Sequence, residues 1–291
     1  MLRRPFGETG LTVSALGLGG GQLGEADVAD ADAARLLHAA LDAGITLIDT
    51  ARGYGTSEER IGRHLGARRA EFVLVTKVGY DVEGAADWTA EAVTGGVERA
   101  LRTLRTEAID VVLLHSCSRE ILERGEVIEA LVAARDAGKV RVAGYSGEND
   151  ALAWAVASGH FGAVETSVNL ADQWSLRNVL PAAGRLGVIA KRPLANAPWR
   201  FARRPDGAYA ETYWERLRAM GTEPADGDWL GTALRFSAFA PGVSAAIAGT
   251  SSAEHLRAAV AAVEQGPPAE AEVARWRDAF SAHGRDWPGD V

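Results

Sequence analysis

Short, nearly uninterrupted apolar runs alternate with longer Ala- and Leu-rich amphipathic stretches eight times along this chain. Few folds accommodate that alternation. The strand candidates are residues 13–17, 46–49, 72–78, 110–115, 140–146, 163–169, 188–192 and 245–249. Helical patterns fall at 30–43, 57–65, 89–104, 127–137, 149–158, 176–186, 229–239 and 253–264. A repeated strand-then-helix order implies a parallel sheet with helical crossovers. Strands that are apolar on both sides are strands covered on both faces. Eight such units in 291 residues fit a closed barrel better than an open sheet. The expected architecture is α/β: a single-domain (β/α)8 TIM barrel over residues 1–291, with an N-terminal hairpin-like segment and a C-terminal extra helix at 269–283.

The punctuation agrees. Gly44, Gly138, Gly159 and Gly187 each follow a helical pattern and precede a strand, where left-handed helix caps are expected. Thr56 with Glu59 has the spacing of a capping box. The longest irregular stretch, 195–228, holds its own helical pattern near 211–220, and a loop that long usually carries function. No apolar run is long enough to cross a membrane as a helix, and the N-terminus lacks a signal-peptide core. Cys117 is the only cysteine, which excludes an internal disulfide and a cysteine-based zinc site; no metal is expected. With 31 basic against 39 acidic residues the net charge is −8, the wrong sign for a nucleic-acid footprint. A cytoplasmic protein acting on a small molecule, with no membrane or nucleic-acid partner and existing as a monomer or weak homo-oligomer, is the expectation.

Residues 19–24, Gly-Gly-Gly-Gln-Leu-Gly, match the G-x-G-x-x-G dinucleotide fingerprint between a strand and a helix, and Asp49 ends the next strand. Glu25, Asp27, Asp30 and Asp32 then crowd the helix start, where a pyrophosphate needs a positive field. The acids would repel it, so this stretch reads as a flexible loop over a barrel mouth.

Catalytic residues of such barrels cluster at the C-terminal ends of the strands. Asp49, Lys77 and His115 each close a consecutive strand candidate, and Tyr54 lies in the loop after the first of these. Lys77 is one of only three lysines in the chain, with Lys139 and Lys191, so a compact cation is singled out there. A buried lysine needs a carboxylate partner, which Asp49 supplies. An ammonium beside a phenol favours the phenolate, so Tyr54 is expected to titrate below its ordinary value. A phenol so tuned gives a proton to an alkoxide or takes one from an alcohol, with His115 orienting the carbonyl. The hydride for that interconversion has to come from a cofactor.

At this point the chain resembles the aldo-keto reductases. Asp49-Thr50-Ala51-Arg52-Gly53-Tyr54-Gly55-Thr56-Ser57-Glu58 is similar to that family's D-T-A-x-x-Y-G-x-S-E signature. Lys77 and His115 match its other catalytic positions, and Gly138-Lys139-Val140-Arg141 through Gly144-Tyr145-Ser146 matches its G-K-(I/V)-R-x-x-G-x-S segment. The resemblance runs from Phe6 to about Val263 and implies a barrel binding NADPH across its strand ends. It implies Tyr54 as the general acid, Lys77 and Asp49 as its tuners, and His115 as the substrate orienter. For cofactor binding it implies Ser146 and Glu165 near the nicotinamide, then Lys191, Arg192, Pro193 and Leu194, and Gly249, Thr250, Ser251, Ser252 and His255 along the adenosine end. NADH stands beside NADPH as a candidate, because the family's basic residues near the last strand are absent at Gly249 and His255.

Three departures from the family pattern stand out: Gly147 for Asn, Glu165 for Gln, and Lys191 for an aromatic. The expectations are that Glu148 or Asn149 takes over the carboxamide contact of the missing Asn, and that Glu165 and Lys191 pair across neighbouring strands. Trp88, Trp199 and Trp214 are the expected walls of the substrate pocket. The reading is an NAD(P)H-dependent oxidoreductase acting on an aldehyde or ketone, or in reverse on a sugar or polyol. Its alternatives are a Schiff-base aldolase using Lys77 and a nucleotide-sensing subunit with little turnover.

Overall fold

The computed structural model describes residues 1–290. Eight parallel strands close a barrel: β3 (Leu16–Gly19), β4 (Leu47–Asp49), β5 (Val73–Val78), β6 (Ile109–His115), β7 (Val140–Ser146), β8 (Ala163–Ser167), β9 (Gly187–Lys191) and β10 (Ala245–Gly249). They neighbour one another in chain order, and β10 returns to pair with β3, with Ala246 opposite Leu16 and Gly249 opposite Gly19. A two-stranded antiparallel hairpin, β1 (Arg3–Pro5) and β2 (Thr12–Ser14), precedes the barrel.

Pleating divides the strand side chains into two apolar populations. Leu47, Val75, Val111, Leu113, Ala163, Ile189, Ala245 and Ile247 point inward and pack with Phe6, Leu11 and Val13 of the hairpin segment. The alternate residues, such as Ile48, Leu74, Val112, Leu114 and Val164, join the inner faces of the surrounding helices. Helix α1 (Asp30–Asp42) buries Ala33, Leu36, Leu37, Ala40 and Leu41, which is one helical stripe. Helix α2 spans Ser57–Leu65 and helix α3 spans Ala90–Leu104. Helix α3 buries Val93, Gly96, Val97, Ala100 and Leu104 at the same spacing, and Thr89 caps it by accepting the Ala92 N–H at 3.2 Å. The extra C-terminal helix spans Glu270–His283, and its Trp276 and Phe280 are buried in a separate cluster with Tyr213, Leu217 and Phe236.

Several local expectations change. The candidate strand at 13–17 merges the end of the hairpin with the start of the barrel, because Ser14 turns the chain by donating its hydroxyl to the Leu16 carbonyl. The stretch 176–186 is not one helix: Trp174–Asn178 is helical, and a short 3-10 turn follows at Leu180–Ala182, with Pro181 removing a donor. Gly44, Gly138 and Gly159 have positive φ as expected, whereas Gly187 does not. Gly187 begins β9 under the Phe6 ring, which a Cβ there would overlap. The Thr56 side chain makes no cap to α2, so the capping box does not form. Residues 19–24 are not a flexible loop either. Leu23 is fully buried, Arg60 holds the Leu23 and Val28 carbonyls, and Gly24 packs directly on the Tyr54 carbonyl.

Candidate active site

The strand ends bring a charged cluster into the barrel mouth. Asp49 ends β4, Lys77 lies one residue from the end of β5, His115 ends β6, Ser146 ends β7 and Glu165 sits in β8. Lys77 Nζ donates to Asp49 Oδ1 at 2.6 Å and to the Thr50 carbonyl at 3.1 Å, and lies 3.4 Å from Glu165 Oε2. All three charged side chains are buried. The Tyr54 ring centroid is 5.1 Å from Lys77 Nζ, and its ring stands perpendicular to His115 at 6.2 Å.

The signature segment holds Tyr54 by hydrogen bonds at both ends of its turn. Tyr54 N–H donates to the Ala51 carbonyl at 3.1 Å, and Ser57 N–H to the Tyr54 carbonyl at 3.0 Å. The buried Thr50 and Ser57 hydroxyls meet at 2.8 Å. Glu58, also buried, accepts from Thr76 of β5 at 2.7 Å and from Arg99 of α3 at 2.7 Å. The carboxylate thus locks the start of α2 to the strand that carries Lys77.

Electrostatics then assigns charge states. Burial alone would discharge Lys77, but Asp49 and Glu165 overcome it and hold the ammonium above the ordinary lysine range. Two carboxyls thus face one ammonium, and their titrations act on each other. Burial and Glu165 push Asp49 well up, while Lys77 and Lys191 pull Glu165 down against its burial. Lys77 favours the Tyr54 phenolate, yet burial with Asp49 and Glu165 outweighs it and pushes the phenol up to about 12. The expected lowering of Tyr54 is therefore reversed, because the ammonium is already neutralised. His115 is pushed down to about 3 by burial and by Lys77, so its ring is neutral.

The expected Glu165–Lys191 pair is not formed. Glu165 stands opposite Ile189, whereas Lys191 stands opposite Ser167, two residues further along. Lys191 instead lies 3.3 Å from Glu148, whose carboxylate also accepts from Thr166 at 2.6 Å and from the Ser167 N–H at 2.9 Å. Glu148 and Asn149, the expected replacements for the missing Asn, have other partners here. Glu148 is committed to this network, and Asn149 exchanges two hydrogen bonds with Gly289. A Cβ at Gly147 would overlap the Tyr145 hydroxyl, which donates to the Cys117 carbonyl at 2.7 Å. The tyrosine beneath position 147 therefore leaves room for glycine alone.

The remaining sites of the sequence reading are spread along the strand ends. Ser146 donates to Glu165 Oε1 at 3.4 Å. Arg192 donates to the Asp290 carbonyl at 2.6 Å, the Pro193 carbonyl accepts from Ser237 at 3.4 Å, and Leu194 packs against the core clusters. Beyond Gly249, Thr250 Oγ1 accepts the Ser252 N–H, and Ser252 caps the helix Ala253–Glu264 by accepting the His255 N–H at 3.3 Å. Of the three tryptophans, Trp88 lies beside Tyr80 with ring centroids 5.8 Å apart, and the Tyr80 ring in turn lies 5.4 Å from His115. Trp199 stacks on Trp229 at 5.0 Å in the outer cluster, and Trp214 donates to the Phe201 carbonyl at 2.9 Å, so both make packing contacts. Tyr80, absent from the sequence reading, places its hydroxyl 2.9 Å from His115 Nδ1. Its only sequence signal was its position three residues after Lys77.

Comparison with known proteins agrees with this geometry. Residues 15–280 match the Aldo/keto reductase family. An aldo-keto reductase from Bacillus halodurans in its holo form superposes with a TM-score of 0.85 at 26% identity, covering 96% of each chain. An aldo/keto reductase from Klebsiella pneumoniae solved with NADP and acetate superposes with a TM-score of 0.76 at 26% identity, covering 98% of each chain. The L-galactose dehydrogenase of Arabidopsis thaliana is 34% identical over 153 residues, 50% of this chain and 48% of the plant protein. The aligned segments span about half the length of the curated relatives at the head of the comparison. With the match running through the catalytic cluster and nearly the whole barrel, the chain belongs to the aldo/keto reductase family.

Proposed function

We propose that the chain is an NADPH-dependent oxidoreductase that interconverts an aldehyde or ketone and its alcohol. The observation that carries this reading is the buried Lys77, held between Asp49 and Glu165 with Tyr54 over it and His115 beside it. Residues fit for the cofactor are present. Glu165 Oε2 is buried without a hydrogen-bond partner, beside Ser146, and can accept the amide N–H of a nicotinamide. The amides at the start of the helix Ala253–Glu264, with Gly249, Thr250 and Ser251, suit a phosphate end. Bound NADPH supplies the hydride. Tyr54, protonated well above neutral pH, gives its proton to the forming alkoxide; Lys77 steadies the phenolate left behind, and Asp49 holds Lys77 in place. Neutral His115 offers an N–H to the carbonyl oxygen and orients it.

A Schiff-base lysine has to shed its proton, and two carboxylates oppose that at Lys77, so the aldolase reading has no support. Leu2 and Tyr209 are the large hydrophobic side chains left exposed among the described residues, which favours a monomer or weak homo-oligomer. Among those residues no helix is long and apolar enough to cross a membrane. A buried, unpaired Cys117 suits a cytoplasmic compartment.

Titrating the tryptophan fluorescence with NADPH and NADH, followed by a panel of sugar, aliphatic and aromatic carbonyls, tests the reading. Saturable quenching by NADPH with carbonyl-dependent turnover is expected. Replacing Tyr54 by Phe should lower kcat by about 10²–10⁴ while leaving nucleotide affinity intact. Failure of both nucleotides to bind would overturn the proposal.

A further inference from the structure

A carbonyl oxygen is oriented by a histidine only if the ring nitrogen facing it carries the proton. A neutral imidazole has one N–H and one acceptor nitrogen, so something must choose between its two tautomers. His115 is neutral. Its Nδ1 lies 2.9 Å from the Tyr80 hydroxyl, which has no other hydrogen-bond partner among the described residues. If Tyr80 donates, Nδ1 accepts and the ring's proton sits on Nε2. If Tyr80 accepts, Nε2 is a bare lone pair and would repel a carbonyl oxygen.

The surroundings of Tyr80 are built to keep it there. Gly79, with φ of +132°, follows β5, and a Cβ at that position would overlap the Trp88 ring. The Trp88 N–H donates to the Gly79 carbonyl at 2.7 Å and closes the loop. The Tyr80 ring then lies between Trp88 at 5.8 Å and His115 at 5.4 Å. On the remaining side Gly53, one residue before Tyr54, clears the hydroxyl, since a Cβ there would come within 2.8 Å of it.

We propose that Tyr80 is a positioning residue that donates its hydroxyl proton to His115 Nδ1 and so fixes the Nε2–H tautomer required to orient the substrate. The inference rests on the carbonyl-reductase reading above, but its first test does not depend on turnover. In ¹⁵N-labelled protein, the His115 signals, assigned by their loss in His115→Asn, report the tautomer directly. The wild type should show Nε2–H alone, and Tyr80→Phe, which keeps the ring, should show both tautomers. Loss of one net hydrogen bond corresponds to about a tenfold shift in that ratio. Carbonyl reduction by Tyr80→Phe should fall in kcat by a similar factor, with NADPH affinity unchanged. An Nδ1–H signal in the wild type, or an unaltered tautomer in Tyr80→Phe, overturns the role of Tyr80. An enzyme with the Nε2–H tautomer but no nucleotide binding would instead overturn the reading of the reaction, leaving the tautomer lock in place.

Discussion

Glu165 puts a second negative charge on an ammonium that already has a partner, and the effect falls on Tyr54. With Asp49 alone, Lys77 would retain more of its pull on the phenol; burial, Asp49 and Glu165 together push it up to about 12. The protein is therefore tuned toward donating a proton, and alcohol oxidation should still be rising at pH 9. Replacing Glu165 by Gln removes one charge and should shift the oxidation limb of the pH profile about one unit lower, with reduction at pH 7 little changed. An unmoved limb would mean that Glu165 does not act on Tyr54. The four residues proposed as catalytic were legible because a barrel presents its strand ends, and those ends can be counted from the chain. The partner of Lys191 was not legible. It depends on a two-residue stagger between β8 and β9, and stagger leaves no mark in a single strand's composition. Tyr80 was hidden for a related reason, since its meeting with His115 joins the loop after β5 to the end of β6.

At the level of elements, the tyrosine proposed as the acid is held by pieces that contribute no chemistry. Glu58 ties α2 to β5 and α3 through Thr76 and Arg99. Changing Glu58 to Ala should cost about 2–3 kcal/mol, because it strands buried donors, and should be visible as a lowered Tm. Gly24 is a sharper probe. A Cβ there would overlap the Tyr54 carbonyl, so Gly24→Ala must displace the tyrosine turn. The expected result is a loss of kcat of at least about tenfold with nucleotide binding retained, since 1 Å misplacements are costly in catalysis. Equal kcat would show that the turn tolerates the shift. Helix ranges such as Ser57–Leu65 and Asn149–Ser158 were visible in their apolar spacing. The broken stretch around Leu180–Ala182 was not, because it keeps a helical pattern of apolar residues while Pro181 interrupts the hydrogen bonding.

For the molecule as a whole, the last described residues are part of the architecture. Asp290 N–H donates to Asp172 at 2.8 Å, Arg216 donates to the Pro288 carbonyl at 2.8 Å, and Gly289 pairs with Asn149. Burial raises Asp172 from 3.8 to about 7, against the pull of Asp290 N–H and Arg216. A carboxyl raised on folding binds its proton more tightly in the folded state, so its contribution to stability falls as pH rises from 3.8 to about 7. The Asp172→Asn variant keeps an acceptor without the charge. Its stability relative to wild type should increase between pH 4 and 8, by up to roughly 4 kcal/mol. A difference independent of pH would overturn this account. The barrel itself was legible in the eightfold alternation, because a closed sheet hides eight parallel strands at this length more economically than an open one. The same closure has a consequence for how the protein is made. Leu18 stands beside Ile48 on one side and finds its second neighbour only in Ala248. A chain emerging from the ribosome therefore carries an open sheet edge through most of its synthesis, and the seam can be sewn only after the last strand has cleared the exit tunnel.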